Sequence, residues 1–294
     1  MLKATDISHT FEAGSVPSRW ALRCVTVEVE AGETILITGP SGSGKTTLAR
    51  IVARLERPSQ GTVRLQGEDL YGSDQRSTLA SGQVVMAFQY PERQFFADSV
   101  WEELRWGLHF GLGLDEEAIR ARLAKVAQEL DLPLEAIARR SPRHLSSGQQ
   151  RKVALVSLLA LEPRVLILDE PLTGLNASER RRLAELLRRR LRQDRAMIVI
   201  AHELELFLPW VTTVAVLAAG RLVFRGSPQE LVATADPAVL SAVSLPPLIE
   251  ISSSLKRHAV SEGPVSNELS TVLDQVRRAV EQRGSRKEGL PTTC

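Results

Sequence analysis

An α/β fold is predicted for this chain by two observations. Val165-Leu166-Ile167-Leu168 and Met197-Ile198-Val199-Ile200 are continuous apolar runs of strand length, the pattern of strands covered on both faces of a parallel sheet. Helix-period patterns alternate with such runs. The clearest spans Asp115 to Leu130, where Ile119, Leu123, Val126, Ala127 and Leu130 recur on one face behind Asp115 as the cap.

Taken in chain order, Leu22 to Val29 alternates and Ile35-Leu36-Ile37 is a β-branched run, so both read as strands. Leu48, Ile51, Val52 and Leu55 follow at helical spacing. Thr62 to Leu65 and Val84 to Phe88 read as short strands between Gly- and Ser-containing turns. Between residues 180 and 195 lie eight arginines, yet Leu183, Leu186, Leu187 and Leu191 form a helical stripe there. That segment reads as a helix with a solvated basic face. Past about residue 235 the texture changes, with Pro246-Pro247, Ser252-Ser253-Ser254 and Gly263-Pro264 as punctuation. One more helix is expected there, with Val265, Leu269, Val272, Leu273, Val276 and Val280 on one face, before a loose end from Arg283. The division expected is a domain over 1–234 and an extension over 235–294, the latter partly helical and suited to dimerisation. No internal repeat is present.

Composition narrows the function. At 43% hydrophobic and 24% charged residues, the 294-residue chain can bury a large core and is not disordered overall. Its 37 basic and 35 acidic side chains argue against a main role in gripping nucleic acid. Arginine outnumbers lysine 31 to 6 throughout, so the local arginine run is part of a chain-wide bias. Cys24 and Cys294 have no metal-ligand spacing, and a reducing compartment is expected. The longest apolar stretch, Val153 to Leu161, is about half a bilayer crossing, and the N-terminus has no apolar signal core. A soluble, cytoplasmic protein is expected.

Gly39-Pro40-Ser41-Gly42-Ser43-Gly44-Lys45-Thr46 matches the phosphate-binding pattern G-x-x-x-x-G-K-[ST], with Thr47 next, and sits between a strand and a helical run as that pattern requires. The glycines let backbone N–H groups turn inward as an anion nest at a helix start. Lys45 adds a point charge for β- and γ-phosphates, and the Thr46 hydroxyl suits Mg²⁺. Val165 to Leu168 runs into Asp169 and Glu170. Asp169 can hold the Mg²⁺ shell, and Glu170 can orient or polarise an attacking water.

Leu145-Ser146-Ser147-Gly148-Gln149, about 20 residues before that acidic pair, together with Gln89 and His202 after their strands, resembles the ATP-binding-cassette ATPases over roughly residues 2 to 230. The resemblance implies a RecA-like P-loop core with an antiparallel β subdomain and a helical subdomain, at about 90–160. It further implies a head-to-tail dimer holding two ATP molecules at its interface. On that reading Ser146, Gly148 and Gln149 act on the partner's γ-phosphate. Gln89 completes the Mg²⁺ and water shell, His202 holds the γ-phosphate and lytic water, and Phe11 stacks on adenine, with Trp20 its rival. The stretch Phe88-Gln89-Tyr90-Pro91 through Gln94, Ser99-Val100 and Glu103 is similar to the ATPases of energy-coupling factor transporters, which take up vitamins and cobalt or nickel ions. This implies a transmembrane coupling subunit docking near Gln89–Trp101, with Tyr90, Phe95, Phe96 and Trp101 as apolar anchors. It implies a substrate-binding membrane subunit and a peripheral position on the cytoplasmic face of the membrane, with no nucleic acid. Three positions depart from the family pattern: Ser147 replaces a glycine, Asn176 an aspartate and Glu203 an aspartate. The first two fit a heterodimer with a more standard ATPase subunit. Soluble cassette ATPases of DNA repair or translation share the core, but usually carry two cassettes, a long coiled coil or a zinc insert, none of which this sequence has. An ATPase of another importer or an exporter is a further alternative, for which the stretch after Gln89 is the discriminator.

Overall fold

A computed structural model describes residues 1–11, 19–72, 83–89, 94–191, 193–234, 236–257 and 271. The chain opens with β1 (Leu2–Phe11), β2 (Arg19–Val29) and β3 (Thr34–Thr38), which leads through the Gly39–Gly44 loop into α1 (Lys45–Val52). Next come β4 (Gln60–Leu65), β5 (Glu68–Asp69) and β6 (Val84–Ala87). A helical region follows: α2 (Val100–Trp106, continued by a π turn over Gly107–Gly111), α3 (Glu116–Glu129), α4 (Leu134–Ile137) and α5 (Ser147–Ala160). The remainder is β7 (Val165–Asp169), α6 (Ala177–Arg190), β8 (Ala196–Ile200), β9 (Thr213–Ala218), β10 (Arg221–Gly226), α7 (Pro228–Ala233), α8 (Pro237–Ala242) and α9 (Pro247–Arg257).

Two sheets result. An antiparallel one has the order β2-β1-β4-β5, and the other runs β10-β9-β3-β8-β7-β6, parallel except for the β10 edge. The apolar runs of β3, β7, β8 and β9 are split by strand alternation between two cores. Ile35, Ile37, Val165, Ile167, Ile198, Ile200, Ala215 and Leu217 face the antiparallel sheet and α1. Leu36, Leu166, Leu168, Met197, Val199, Val214 and Val216 face the helices of the other side. Apolar residues on both faces are what this sandwiching demands, and the period of two decides which core each joins.

Three sequence expectations are corrected or extended. The helix expected through Leu55 ends at Val52, and Leu55 is 52% exposed. Arg54 adopts φ 63°, with Leu55 N–H donating to Arg50 O and Arg54 N–H to Ile51 O. This is a Schellman ending with arginine where glycine is usual, so no residue type announced it. Strand β1 was not legible because register shifts between Ala4 and Thr10, with Asp6 at φ 54°, break its alternation. The basic segment is helical, with Leu183 and Leu187 buried. Its arginines are largely engaged by acids: Arg182 with Asp131, Arg190 with Glu129 at 2.6 Å, and Arg188 and Arg189 with Glu185.

Helix α3 starts behind Asp115, whose carboxylate accepts from Ala118 N–H, as expected. In the extension, Val239 and Ala242 of α8 and Ile249 of α9 are buried in the same core as the helical region. The helix expected over 265–280 and the end from Arg283 lie outside the described residues, apart from Thr271.

Candidate functional site

Strands β3, β7 and β8 are hydrogen-bonded neighbours, so their C-terminal ends bring together residues far apart in sequence. After β3, the loop closes tightly on the strands beside it. A Cβ on Gly39 (φ 139°) would lie 2.0 Å from Leu217 O, and one on Gly44 (φ 103°) 2.5 Å from Ala21 O. Only glycine fits either place. Gly44 is the N-cap of α1 and offers no capping side chain, so the first N–H groups of the helix have no side-chain acceptor. Pro40, Ser41 and Gly42 are exposed, while Ser43 is buried and its hydroxyl makes no hydrogen bond among the described residues. Lys45 is buried, and its ammonium donates to Gly39 O and Pro40 O, both at 2.8 Å. Burial pushes its pKa down, against the pull of the Glu170 and Asp169 carboxylates.

Thr46 Oγ1 donates to Asp169 Oδ2 at 2.9 Å, across 123 residues of sequence. Burial pushes the Asp169 carboxyl up, while the Thr46 hydroxyl and the Lys45 charge hold it back. Glu170 follows at the end of β7 with its own N–H bonded to Ile200 O at 2.9 Å. Its carboxyl is raised to about 6 by burial and by the neighbouring Asp169 charge. His202 Nε2 lies 3.2 Å from Glu170 Oε1. Burial and the Lys45 charge push the His202 pKa down, which favours the neutral ring. The loop carrying His202 is held by Glu203, which accepts from Arg180 of α6 at 2.6 Å. Its longer side chain thus has a partner in the fold.

The expected residues do not all come together. Gly39 to Thr47, Asp169, Glu170 and His202 converge. Gln89 lies just past β6, and the β6–β7 register (Ala87 opposite Leu168) brings it level with Glu170. Its side chain is exposed, however, and no hydrogen bond joins it to Thr46 or Asp169. Ser146, Gly148 and Gln149 form the start of α5, where Ser146 Oγ accepts from Gln149 N–H and Gln149 Oε1 from Ser146 N–H. Ser146 and Ser147 are exposed. Asn176 caps α6 through the N–H groups of Ser178 and Glu179, both at 3.0 Å. Phe11 and Trp20 are both solvent-exposed on the β1–β2 pair, where Trp20 faces Thr10 and Phe11 faces Arg19. The His9 ring meets Phe11 edge-on at 5.0 Å.

The model of the ABC transporter family matches residues 22–173. The chain is 35% identical to the energy-coupling factor transporter ATP-binding protein EcfA2 of Thermotoga maritima, over 80% of this chain and 86% of that one. It is 35% identical to its namesake of Symbiobacterium thermophilum, over 88% and 89% of the two chains. The chain belongs to the ABC transporter family, among its energy-coupling factor ATP-binding proteins. Among solved structures, cbiO1 of Clostridium perfringens, described as part of the ABC transporter complex cbiONQ, superposes with a TM-score of 0.66. It is 27% identical over 78% of this chain and 89% of that one.

Within this ABC cassette, the segment after Gln89 is built differently from the expectation. Tyr90 and Pro91 lie outside the described residues. Phe95 is buried in the core, and Trp101 packs against that core with Arg120 4.5 Å over its ring, so neither is a free anchor. Phe96 is exposed instead, in an aromatic chain with Trp106 at 5.5 Å and then Phe110 at 5.5 Å. The motif residues explain its placement. Ser99 caps α2, Val100 is buried, and Glu103 accepts from the N–H groups of Phe96 and Ala97. Sequence reading also passed over Arg151. It is buried, and it donates to the carbonyls of Gln89, Glu170 and Pro171. An arginine next to the Ser146–Gln149 motif was visible, but the backbone oxygens it reaches belong to two other segments.

Proposed function

We propose that this chain is the ATP-hydrolysing subunit of an energy-coupling factor importer, driving uptake of a vitamin or transition-metal ion through separate membrane subunits. The observation that carries the site assignment is the meeting of the glycine loop, the Thr46–Asp169 pair and the Glu170–His202 pair at adjacent strand ends. Residues Gly39 to Thr47 cradle the phosphates with backbone N–H groups, and Lys45 neutralises the β- and γ-phosphates with its remaining donor. Glu170 receives the proton of the attacking water, a task its raised pKa suits. Neutral His202, beside it, orients that water and the γ-phosphate through its ring N–H. Phe11 stacks on the adenine.

A hydroxyl and a carboxylate are hard oxygen donors of the kind Mg²⁺ accepts, and Mg²⁺ keeps several waters. That fits the absence, among the described residues, of any cage of three or more His, Cys, Asp or Glu. Thr46 and Asp169, with Gln89 completing the shell, would hold it, and it supplies charge neutralisation on the phosphate oxygens.

Ser146, Gly148 and Gln149 serve the nucleotide of a second cassette. The exposure of Ser146, and the absence of any hydrogen bond from these residues to the chain's own glycine loop, support this. Ser147 and Asn176 favour a heterodimer with a different ATPase subunit. A transmembrane coupling subunit docks on the segment from Gln89 through Trp101, with Phe96, Trp106 and Phe110 as apolar anchors. A further membrane subunit selects the cargo. Docking on the membrane subunits gives a peripheral position on the cytoplasmic face; among the described residues no helix is long and apolar enough to cross a membrane.

Glu170→Gln tests the assignment. ATP should still bind and hold the dimer closed, while hydrolysis falls about 10²- to 10⁴-fold. Undiminished turnover would remove Glu170 from the mechanism. An affinity pull-down from gently solubilised membranes should recover a polytopic subunit and a second cassette.

A further inference from the structure

We propose that Arg151 is a positioning residue that ties the loop after β6 and the backbone of Glu170 to helix α5, so that the three move together. The inference rests on the ATPase reading above and names the element through which one ATP site senses the other.

Arg151 lies in the first turns of α5, two residues beyond Gln149, and is only 6% exposed. Its guanidinium spans two segments. Nη1 donates to Gln89 O at 2.9 Å, and Nη2 to Pro171 O at 2.7 Å and Glu170 O at 3.2 Å. A planar fork can hold two separated carbonyl groups at once in fixed geometry, which a lysine ammonium on a flexible stem cannot.

The Glu170 backbone needs such a hold. It has φ 50°, a left-handed conformation that is costly for a residue with a Cβ, and it precedes Pro171, which restricts it further. Conformations of this kind persist where the surroundings over-determine them. Here the Glu170 N–H is bonded to Ile200 O, and its carbonyl accepts from both Arg151 and the Thr173 N–H at 3.2 Å. That backbone sets where the Glu170 carboxylate stands relative to His202.

The consequence is mechanical. The first turn of α5 bears Ser146, Gly148 and Gln149, offered to the partner's nucleotide, while Arg151 grips the residue that takes the proton of water at this chain's own nucleotide. A tilt of α5 on engaging the partner therefore shifts Glu170 and Gln89 in the same movement. Arg151 couples the two composite sites without touching either nucleotide.

Hydrogen–deuterium exchange on the full-length chain without nucleotide tests the link directly, comparing wild type, Arg151→Met and Arg151→Lys. Faster exchange in both the 83–94 and 166–175 segments is expected for Arg151→Met. Arg151→Lys should restore protection to at most one of them. In the transporter, Arg151→Met should lower kcat about tenfold to a hundredfold with the ATP dissociation constant within about twofold. Unchanged exchange in either segment for folded Arg151→Met overturns the proposal. So does full rescue by Arg151→Lys, since a buried charge alone would then suffice. Exchange is read without turnover, so a wild-type chain that failed to hydrolyse ATP would refute the ATPase reading and leave the exchange result to decide the link.

Discussion

Helices α1 and α5 both carry a sequence motif of Ser and Gly at their start, yet their first turns are built in opposite ways. At α1 the N-cap is Gly44 with no capping side chain, and buried Lys45 and Asp169 and half-buried Glu170 lie close by. At α5, exposed Ser146 and half-buried Gln149 satisfy each other's backbone N–H groups in a reciprocal box. Helix α6 repeats the second solution with Asn176 and Glu179. A helix start that leaves its N–H groups open, in a setting that penalises the nearby charges, is arranged for an anion brought from outside. One that closes on itself is stable without a ligand. On the proposed function, this is the difference between a site held in one chain and half of a shared one.

The largest expected effect comes from closing the open terminus. Gly44→Ala puts a Cβ against Ala21 O in a left-handed conformation, and ATP affinity should fall by about a hundredfold or more in equilibrium binding. Wild-type affinity would show that the close fit of the loop is not what binds phosphate.

Next is the electrostatic cost stored at the α1 side. Below pH 4.5 the Glu170 carboxyl is protonated in both the folded and the unfolded chain. Between pH 4.5 and about 6 the folded chain keeps a proton that the unfolded chain has lost, so stability declines as pH rises. Above that window the penalty is complete, at about 2 kcal/mol. Glu170→Gln should therefore stabilise the chain by about that much at pH 8, with no difference at pH 4, in urea unfolding. Equal gains at both pH values would mean that the site is not strained by charge. Hydrolysis by the wild type should decline as pH falls through about 6, as Glu170 takes up its proton.

Smaller effects belong to the self-satisfied termini. Ser146→Ala should cost about 1 kcal/mol of stability and leave ATP affinity at this chain's own glycine loop unchanged. A weakened affinity there would place Ser146 in the same site as Lys45. Asn176→Asp should change stability by only about a few tenths of a kcal/mol, because both residues cap helices well. If hydrolysis in the transporter nonetheless rises, the missing carboxylate matters for the shared sites and not for the fold.

Much of this was legible in the residues. The glycine loop was readable because only a few residue types can turn a backbone around phosphate, and they sit consecutively. The apolar runs of β7 and β8 announced their double burial, and Asp115 announced α3. Other features left no local mark. The ending of α1 uses Arg54 where glycine would have signalled it, and the shifted register of β1 hides its period. Phe95 and Phe96 are identical neighbours, one buried and one exposed.

The sequence by itself determined the chemistry available, because a motif of consecutive residues carries its geometry in its own backbone. It determined the α/β class as well, since periodicity is a local property. Tertiary structure alone decided the company each group keeps. Thr46 finds Asp169, and Glu170 finds His202, through the parallel registers of β3, β8 and β7. Arg151 reaches Gln89 and Glu170 because α5 packs against the face of that sheet beside β6. Such pairings depend on strand order and helix docking, which are set by the sum of many weak apolar contacts and which no short window of residues encodes.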